Sequence, residues 1–304
     1  MSHQPQTQGF RAWITAPVPT SGAQARAQQA LAGLRRFCAN RSALAGALFL
    51  LFLGLVALLV PVIAPHDPML QDLSKRLQPP SSLHLFGTDE LGRDILSRIL
   101  YGTRITLYIA VLTAVIVGPV GLIVGTVAGY FGGWVDLVLM RVVDIFLAFP
   151  SLILALAFVT ALGPGIENAV VALSLSAWPP IARLARAETL TIRSSDYVAA
   201  MRMQGASHLR ILWSDVVPMC LPSVVVRLTL NMAIVILTAA GLGFLGLGAQ
   251  PPSPEWGAML STGREFMMNA WWVAAMPGFA ILLTSLAVNL AGDGLRDVLD
   301  PRHD

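Results

Sequence analysis

The sequence predicts an all-α protein that crosses a membrane several times. Of its 304 residues, 55% are hydrophobic and only 12% are charged, too little charge to cover a soluble domain of this length. The uncharged residues form long runs, and a helix needs about 20 apolar residues to cross the hydrocarbon core. Five runs reach that length, and a shorter sixth run completes six predicted transmembrane helices: 43–64, 105–135, 145–166, 168–182, 228–254 and 266–292.

The basic residues predict the topology. With the N-terminus inside, cytoplasmic segments carry thirteen Lys and Arg residues and external segments carry six. Arg35, Arg36 and Arg41 lie directly before the first span, which fits the positive-inside rule. Cys38 and Cys220 fall on or near the cytoplasmic side, so no disulfide is expected. The predicted division is a flexible cytoplasmic tail at 1–42, a first span at 43–64, an external loop at 65–104, a core at 105–292 with a cytoplasmic loop at 183–217, and a cytoplasmic C-terminal tail at 293–304.

The external loop leads into the second span through a charged stretch, HLFGTDELGRDILSRILYGTRITL. Asp89, Glu90 and Asp94 lack the alternating ligand spacing that an EF-hand needs. His66 and His84 are far apart in the sequence, which favours solvated loop histidines over metal ligands. The sequence therefore predicts no metal site here.

One long polar run interrupts the apolar second half of the chain, from Asp196 to Pro222. As a helix it would be capped by Ser194 or Ser195 and ended by Pro218. Its apolar stripe would have to contact the lipid surface, its own subunit or a partner. A glycine inside the stripe costs about 1 kcal/mol, which is tolerable where another backbone comes close. The stripe consists of Val198, Met201, Gly205, Leu209 and Leu212.

Three further features concern the spans. Glycines at four-residue spacing, Gly121, Gly125 and Gly129, predict a face where a second helix approaches closely. Charges at the edge of the third span predict an interfacial ion-pair cluster or a pathway element; they are Asp136, Arg141 and Asp144. Arg227 directly precedes the uncharged run 228–254, several residues into the fifth span if that span begins earlier, and either reaches the inner surface or lines an aqueous path.

Several function classes are disfavoured. A phosphate-binding P-loop needs a lysine after its last glycine, and the only lysine, Lys75, lies in the external loop outside any glycine-rich stretch. An ion-coupled secondary transporter would show acidic residues deep in its spans, and the later spans have none. A membrane-embedded enzyme would need a catalytic set such as His-Glu-x-x-His, which is absent. A non-transport structural membrane protein remains an alternative, and no feature indicates nucleic-acid binding.

The external stretch closely resembles the signature of C-type permeases in the dipeptide/oligopeptide/nickel family of ABC importers. The cytoplasmic run is similar to the ATPase-contacting loop of such permeases, Glu-Ala-Ala followed after three residues by Gly. Ala200, Gly205 and Pro218 are in register, whereas Ala199 replaces the Glu and Met201 the second Ala. The resemblance covers about 65–301. The matching signature residues are Gly87, Thr88, Asp89, Gly92, Arg93, Asp94, Ser97 and Arg98.

The resemblance implies a permease subunit of the bacterial inner membrane, with one N-terminal span added to a five-helix core. Both termini would be cytoplasmic, and 65–104 would be periplasmic. Implied partners are a second homologous permease, two ATP-binding subunits and a periplasmic solute-binding protein. This chain would have no catalytic site or cofactor of its own, and the cargo would be peptides, glutathione-like peptides or nickel complexes. The implied ATPase-coupling residues are Val198, Ala200, Met201, Gly205, Ala206, Leu209, Leu212 and Pro218.

Overall fold

The computed structural model describes residues 21–299, and within that range the regular elements are all helical. A 3₁₀ turn lies at Leu73–Lys75, in the predicted external loop, and a short π-helical segment lies at Leu212–Val216. The helices are α1 (Gly22–Ala39), α2 (Arg41–Ile63), α3 (Ile95–Phe131), α4 (Gly133–Leu147), α5 (Ser151–Leu162), α6 (Ile166–Ala177), α7 (Pro179–Arg193), α8 (Asp196–Met203), α9 (His208–Ile211), α10 (Val217–Phe244), α11 (Trp256–Arg264) and α12 (Trp272–Leu299).

Four helical stretches in the described range are long and apolar enough to cross a membrane. They are α2, α3, the stretch from α9 through α10, and α12. A fifth candidate is the pair α4 and α5, which bends by 91°. The multispan, all-α prediction is confirmed, and the predicted number of six spans is approximate.

Prolines explain why the two middle spans are broken. The third predicted span, 145–166, is divided between α4 and α5, because Pro150 lies at the break and cannot donate a backbone hydrogen bond. The fourth, 168–182, is divided between α6 and α7 at Trp178, where Pro179 and Pro180 begin the new helix.

The glycine face of α3 packs against α7, as the four-residue spacing predicts. A methyl group on Gly121 would lie 2.6 Å from the Ile181 Cβ, and one on Gly125 would lie 2.3 Å from the Ala182 carbonyl oxygen. Gly129 faces Thr189 in the same way. The missing side chains let the two backbones approach, and this pairing holds the middle of the molecule together.

The other long helices surround α12. Helix α12 packs against α2, α10 and α11, and Gly46 of α2 lies so close that a side chain there would meet the α12 backbone. Near the two chain ends, Gly294 of α12 lies against Ala43 and Phe37. The first span is therefore an integral part of the bundle.

The prediction of a flexible tail at 1–42 is wrong for its second half. Residues Gly22–Ala39 form α1, capped by Ser21, and the helix packs against α12 through Gly33 and Val298. Asn40 donates a hydrogen bond to the Asp297 carboxylate at 3.0 Å. The stretch lacks an apolar run because α12 covers only one side of it. Residues 1–20 of this tail and 300–304 of the C-terminal tail lie outside the described part of the chain.

Candidate functional site

The signature residues of the external loop are buried, although many of them are charged. All eight, from Gly87 to Arg98, are shielded from solvent within their own chain. They connect the residues after the 3₁₀ turn to the start of α3: the Thr88 hydroxyl donates to the Lys75 carbonyl and accepts from the Gln78 N–H at 2.8 Å. The signature therefore stabilises the loop internally.

Asp89 is the centre of this network. Its Oδ1 accepts hydrogen bonds from the N–H groups of Leu91 and Arg93, both at 2.9 Å. Its Oδ2 accepts from the Arg93 Nε at 2.7 Å and lies 3.5 Å from the Arg98 Nε. Two guanidinium groups thus share one buried carboxylate, and Glu90 adds a second acceptor to Arg93 at 2.8 Å.

Two glycines of the signature are required by backbone conformation. Gly87 has φ +76° and Gly92 has φ +72°, in the left-handed region that favours glycine. A side chain on Gly92 would also collide with the Asp72 carbonyl oxygen, because the added carbon would lie 1.8 Å from it.

The predicted cytoplasmic helix is divided into two at Gly205. Ser195 caps α8 as predicted, with its hydroxyl accepting from the Val198 N–H, and the helix ends at Met203. The Ala206 N–H donates to the Met201 carbonyl at 3.1 Å across a turn in which Gly205 has φ +82°. The placement of Gly205 within a helical stripe is therefore wrong: the residue ends the helix, where a left-handed glycine is favoured.

The apolar stripe does not face outward as one surface. Val198 and Leu212 are buried in the chain's own core, Met201 and Ala206 are half-buried, and Leu209 is 62% exposed. The turn at Gly205 rotates α9 relative to the continuous helix that the spacing assumed. The inner part of the stripe anchors the segment to its own subunit.

Polar contacts fix this segment to the end of α3 and the start of α10. The Tyr130 hydroxyl lies 3.1 Å from the His208 Nδ1, and the Arg202 guanidinium lies over the Tyr130 ring. The Tyr197 hydroxyl donates to the Asp215 carboxylate at 2.6 Å, and this hydrogen bond raises the pKa of Tyr197. Sequence reasoning missed Tyr130 and Asp215 because their partners are distant in the chain.

Pro218 does not end the helical pattern. The chain stays helical from His208 to Phe244, and Pro218 lies in the first turn of α10. The preceding turn is widened, with the Val217 N–H bonded to the Leu212 carbonyl five residues back. Such a turn accommodates a proline, which has no N–H to donate and would crowd a regular turn. At the other end, the predicted span 228–254 stops at Phe244.

The acidic residues at the edge of the third span pair with α7. Asp144 accepts from Arg183 at 2.6 Å, and both side chains are more than half exposed. Asp136 accepts from Arg186 through both carboxylate oxygens. The ion-pair alternative is thus the one the structure shows for these two residues, with partners from the cytoplasmic loop.

Arg227 is exposed on α10, at the edge of a cavity of about 230 Å³. Asn231 and Thr238 lie one and three helical turns further along the same face, and Ser176 contributes a hydroxyl from α6. Apolar side chains from α4, α6 and α10 form the remaining wall. A polar row in an apolar cavity is compatible with a solute path, so the predicted pathway role of Arg227 stays open.

The two loop histidines lie together. The ring centroids of His66 and His84 are 4.7 Å apart, and His84 is buried beside Asp94. The prediction of unclustered, solvated histidines is wrong, because the loop folds back and brings the end of α2 next to the start of α3.

Comparisons with known families agree with this architecture. Residues 121–304 match the family described as "Binding-protein-dependent transport system inner membrane component". Residues 29–80 match the "N-terminal TM domain of oligopeptide transport permease C". The two matches together include the first span, part of the loop that follows it, and the segment that contains α8 and α9.

Several curated proteins are similar over most of their length. The Di/tripeptide transport system permease protein DppC of Pseudomonas aeruginosa is 47% identical over 272 residues, 88% of this chain and 90% of that protein. The probable D,D-dipeptide transport system permease protein DdpC of Escherichia coli is 43% identical over 84% of this chain and 86% of its own. The glutathione transport system permease protein GsiD of Pectobacterium atrosepticum is 44% identical, with coverages of 88% and 89%.

A solved structure shares the fold. A chain of the inward-facing MetNI methionine ABC transporter superposes with a TM-score of 0.55 at 22% identity, over 67% of this chain and 97% of that chain. The family matches and the relatives above 40% identity confirm the family that the sequence resembles. The chain therefore belongs to the inner-membrane components of binding-protein-dependent transport systems, in the dipeptide/oligopeptide C-type group, and is a membrane-spanning permease subunit of an ABC importer.

Proposed function

We propose that this permease forms half of a translocation path for short peptides across a bacterial inner membrane. The relatives cited above are named for di- and tripeptides, D,D-dipeptides and glutathione, all of which are short peptides. The cavity beside Arg227 is open on one side in this chain, and a second homologous permease would close it. An exposed guanidinium there offers a partner for the carboxylate that every such peptide carries.

Energy would come from two separate ATP-binding subunits. Lys75 lies in the 3₁₀ turn and pairs with Asp72 at 2.9 Å, far in sequence from any glycine-rich phosphate loop. The thirteen-to-six distribution of basic residues supports a cytoplasmic location for α8 and α9 and for both termini. A periplasmic solute-binding protein would deliver the peptide on the other side.

The observation that carries the ATPase proposal is the exposure of the segment between two buried anchors. Val198 and Ile211 are completely buried, whereas Met203 is 84% exposed and Leu209 is 62% exposed. Exposed apolar side chains surrounded by charges, here Arg202 and Arg210, are typical of a contact surface. The segment would move as a unit with its own spans, which couples ATPase closure to the transport path.

The test replaces one exposed side chain on each side of the membrane. Leu209→Glu places a charge on the proposed contact surface, and Leu70→Glu is the control, because Leu70 is 66% exposed in the external loop. We expect Leu209→Glu to reduce co-purification with the ATP-binding subunits and peptide uptake by about tenfold or more, as for loss of a contact worth about 2 kcal/mol. Leu70→Glu should retain both.

The readout is co-purification in detergent and uptake of a labelled dipeptide at equal membrane expression. Wild-type co-purification by Leu209→Glu would show that α9 is not the docking element. Retained assembly without uptake of any short peptide by the wild type would instead overturn the cargo proposal. The two failures are therefore distinguishable.

A further inference from the structure

Three metal-ligating side chains meet in the external loop, at the junction of the first two spans. We propose that His66, His84 and Asp94 bind a divalent transition-metal ion of the zinc class. One ligand atom from each lies within 4.8 Å of the others. The His84 Nδ1 is 2.9 Å and the His66 Nδ1 is 3.7 Å from the Asp94 Oδ1.

These distances suit a tetrahedral ion. Zinc is held by histidine nitrogen and carboxylate oxygen at about 2.0–2.2 Å, which places neighbouring ligand atoms about 3.3 Å apart. The two measured separations lie on either side of that value. The ligand atoms of the two histidines lie at most 4.8 Å apart, so the side chains would close around the ion as it binds.

The carboxylate is already oriented for this role. Its Oδ2 accepts hydrogen bonds from the Ser97 N–H at 2.8 Å and from the Ser97 hydroxyl at 2.7 Å. The Ser97 hydroxyl in turn accepts a hydrogen bond from the backbone N–H of His66 at 3.0 Å. Oδ1 is left facing the two rings. Outer hydrogen bonds of this kind fix ligand orientation in metal sites.

A second observation points to a ligand. Within residues 21–299, the His66 Nδ1 and the His84 Nε2 are buried and have no hydrogen-bond partner. Buried polar atoms are normally paired, so two orphaned ring nitrogens in one cluster need an explanation. An ion bound by the His66 Nδ1 would satisfy that atom directly.

The donor set selects the class of ion. Two imidazoles and one carboxylate suit zinc and the neighbouring transition metals, whereas magnesium and calcium prefer oxygen ligands throughout. The His66 side chain is 30% exposed, so an ion and a water molecule as fourth ligand can reach it. His66 follows α2, His84 lies in the loop and Asp94 caps α3, so a bound ion would connect three separate parts of the chain.

The test uses the full permease purified with its partner subunits, stripped with chelator and exposed to zinc chloride. We expect about one zinc per permease after desalting, and a higher midpoint of thermal unfolding with zinc than without. His66→Gln should weaken zinc binding by at least about 10–100-fold, the loss seen even for outer-shell partners. Because the His66 Nδ1 has no hydrogen-bond partner in the described part of the chain, this variant should fold normally.

Two further variants make the result decisive. Asp94→Asn retains a side chain that can cap α3 but removes the charge, and it should also lose zinc. His208→Gln is the matched control, since His208 lies on the cytoplasmic side of the molecule next to Tyr130. It should bind zinc like the wild type. Absence of stoichiometric zinc in the wild type, or equal retention in His66→Gln, would overturn the proposal.

Discussion

The signature loop, predicted to be external, and the segment at α8 and α9, predicted to be cytoplasmic, use polar residues in opposite ways. In the loop, Asp89, Arg93 and Arg98 are buried and form one ion-pair network. In the cytoplasmic segment, Arg202 and Arg210 are exposed beside apolar side chains. The loop is a closed structure that supports the start of α3, whereas the segment is anchored at both ends and leaves its middle free. A specific sequence signature therefore marks internal structure here, and a degenerate one marks the surface available to a partner.

The largest expected effect comes from removing the carboxylate at the centre of the buried ion-pair network. Asp89→Ala leaves the buried Arg93 and Arg98 without their shared carboxylate, which should reduce the free energy of unfolding by about 3 kcal/mol or more. The control is Asp72→Ala, which removes a solvent-exposed ion pair with Lys75 and the Ser74 hydrogen bonds that cap the 3₁₀ turn, and should cost only about 1 kcal/mol. Thermal unfolding of the purified permease measures both. Equal midpoints for Asp89→Ala and wild type would mean that the network does not support the fold.

Much of the architecture follows from the sequence because lipid imposes strong rules. Apolar run length predicts spans, and the spacing of Gly121, Gly125 and Gly129 predicts a close helix pair without naming α7 as its partner. The positions at which the helices break are harder to predict from the sequence. The division at Gly205 depends on a left-handed conformation, and the same residue would also be allowed inside a helix.

Distant contacts explain the remaining differences. His66 and His84 are 18 positions apart, and only the folded loop brings them next to Asp94. Likewise, α1 is held by α12, whose residues come more than 250 positions later. Local periodicity carries no information about such pairings. Sequence alone could therefore identify the family and the spans, and it could not identify which polar residues meet.

Substitutions at Gly205 test the exposed segment in the same way. In residues 21–299, no heavy atom would lie within 4 Å of a side-chain carbon added to Gly205. The chain itself therefore leaves room for a larger side chain at this position. Its φ of +82° should cost Gly205→Ala and Gly205→Leu about 1–2 kcal/mol each, and Gly205→Asn less. We expect similar unfolding midpoints for Ala and Leu. If an ATP-binding subunit approaches here, Leu should reduce co-purification and peptide uptake well below the level of Ala.

The outcome separates conformation from contact. Equal co-purification of the Ala and Leu variants, both below Asn, would show that only the left-handed turn matters at this position. Equal and normal behaviour of all three variants would contradict the role of the turn in coupling.

The smallest expected effect is a change in pH dependence within the signature loop. Burial, followed by the charge of neighbouring Asp89, raises the pKa of Glu90 above its usual 4.5. The folded state therefore binds this proton more tightly than the unfolded state, so stability from this group is present below pH 4.5 and is lost as the pH rises through the folded-state pKa.

Glu90→Gln removes the titration. Its unfolding midpoint should vary less with pH than the wild-type midpoint over that window, and at about pH 7 it should stay near the wild type, because the lost ion pair with Arg93 is offset by the avoided burial of a charge. Parallel pH profiles for the two proteins would show that Glu90 does not titrate differently on folding, and a large loss of stability in Glu90→Gln at about pH 7 would mean that Glu90 is as essential to the network as Asp89.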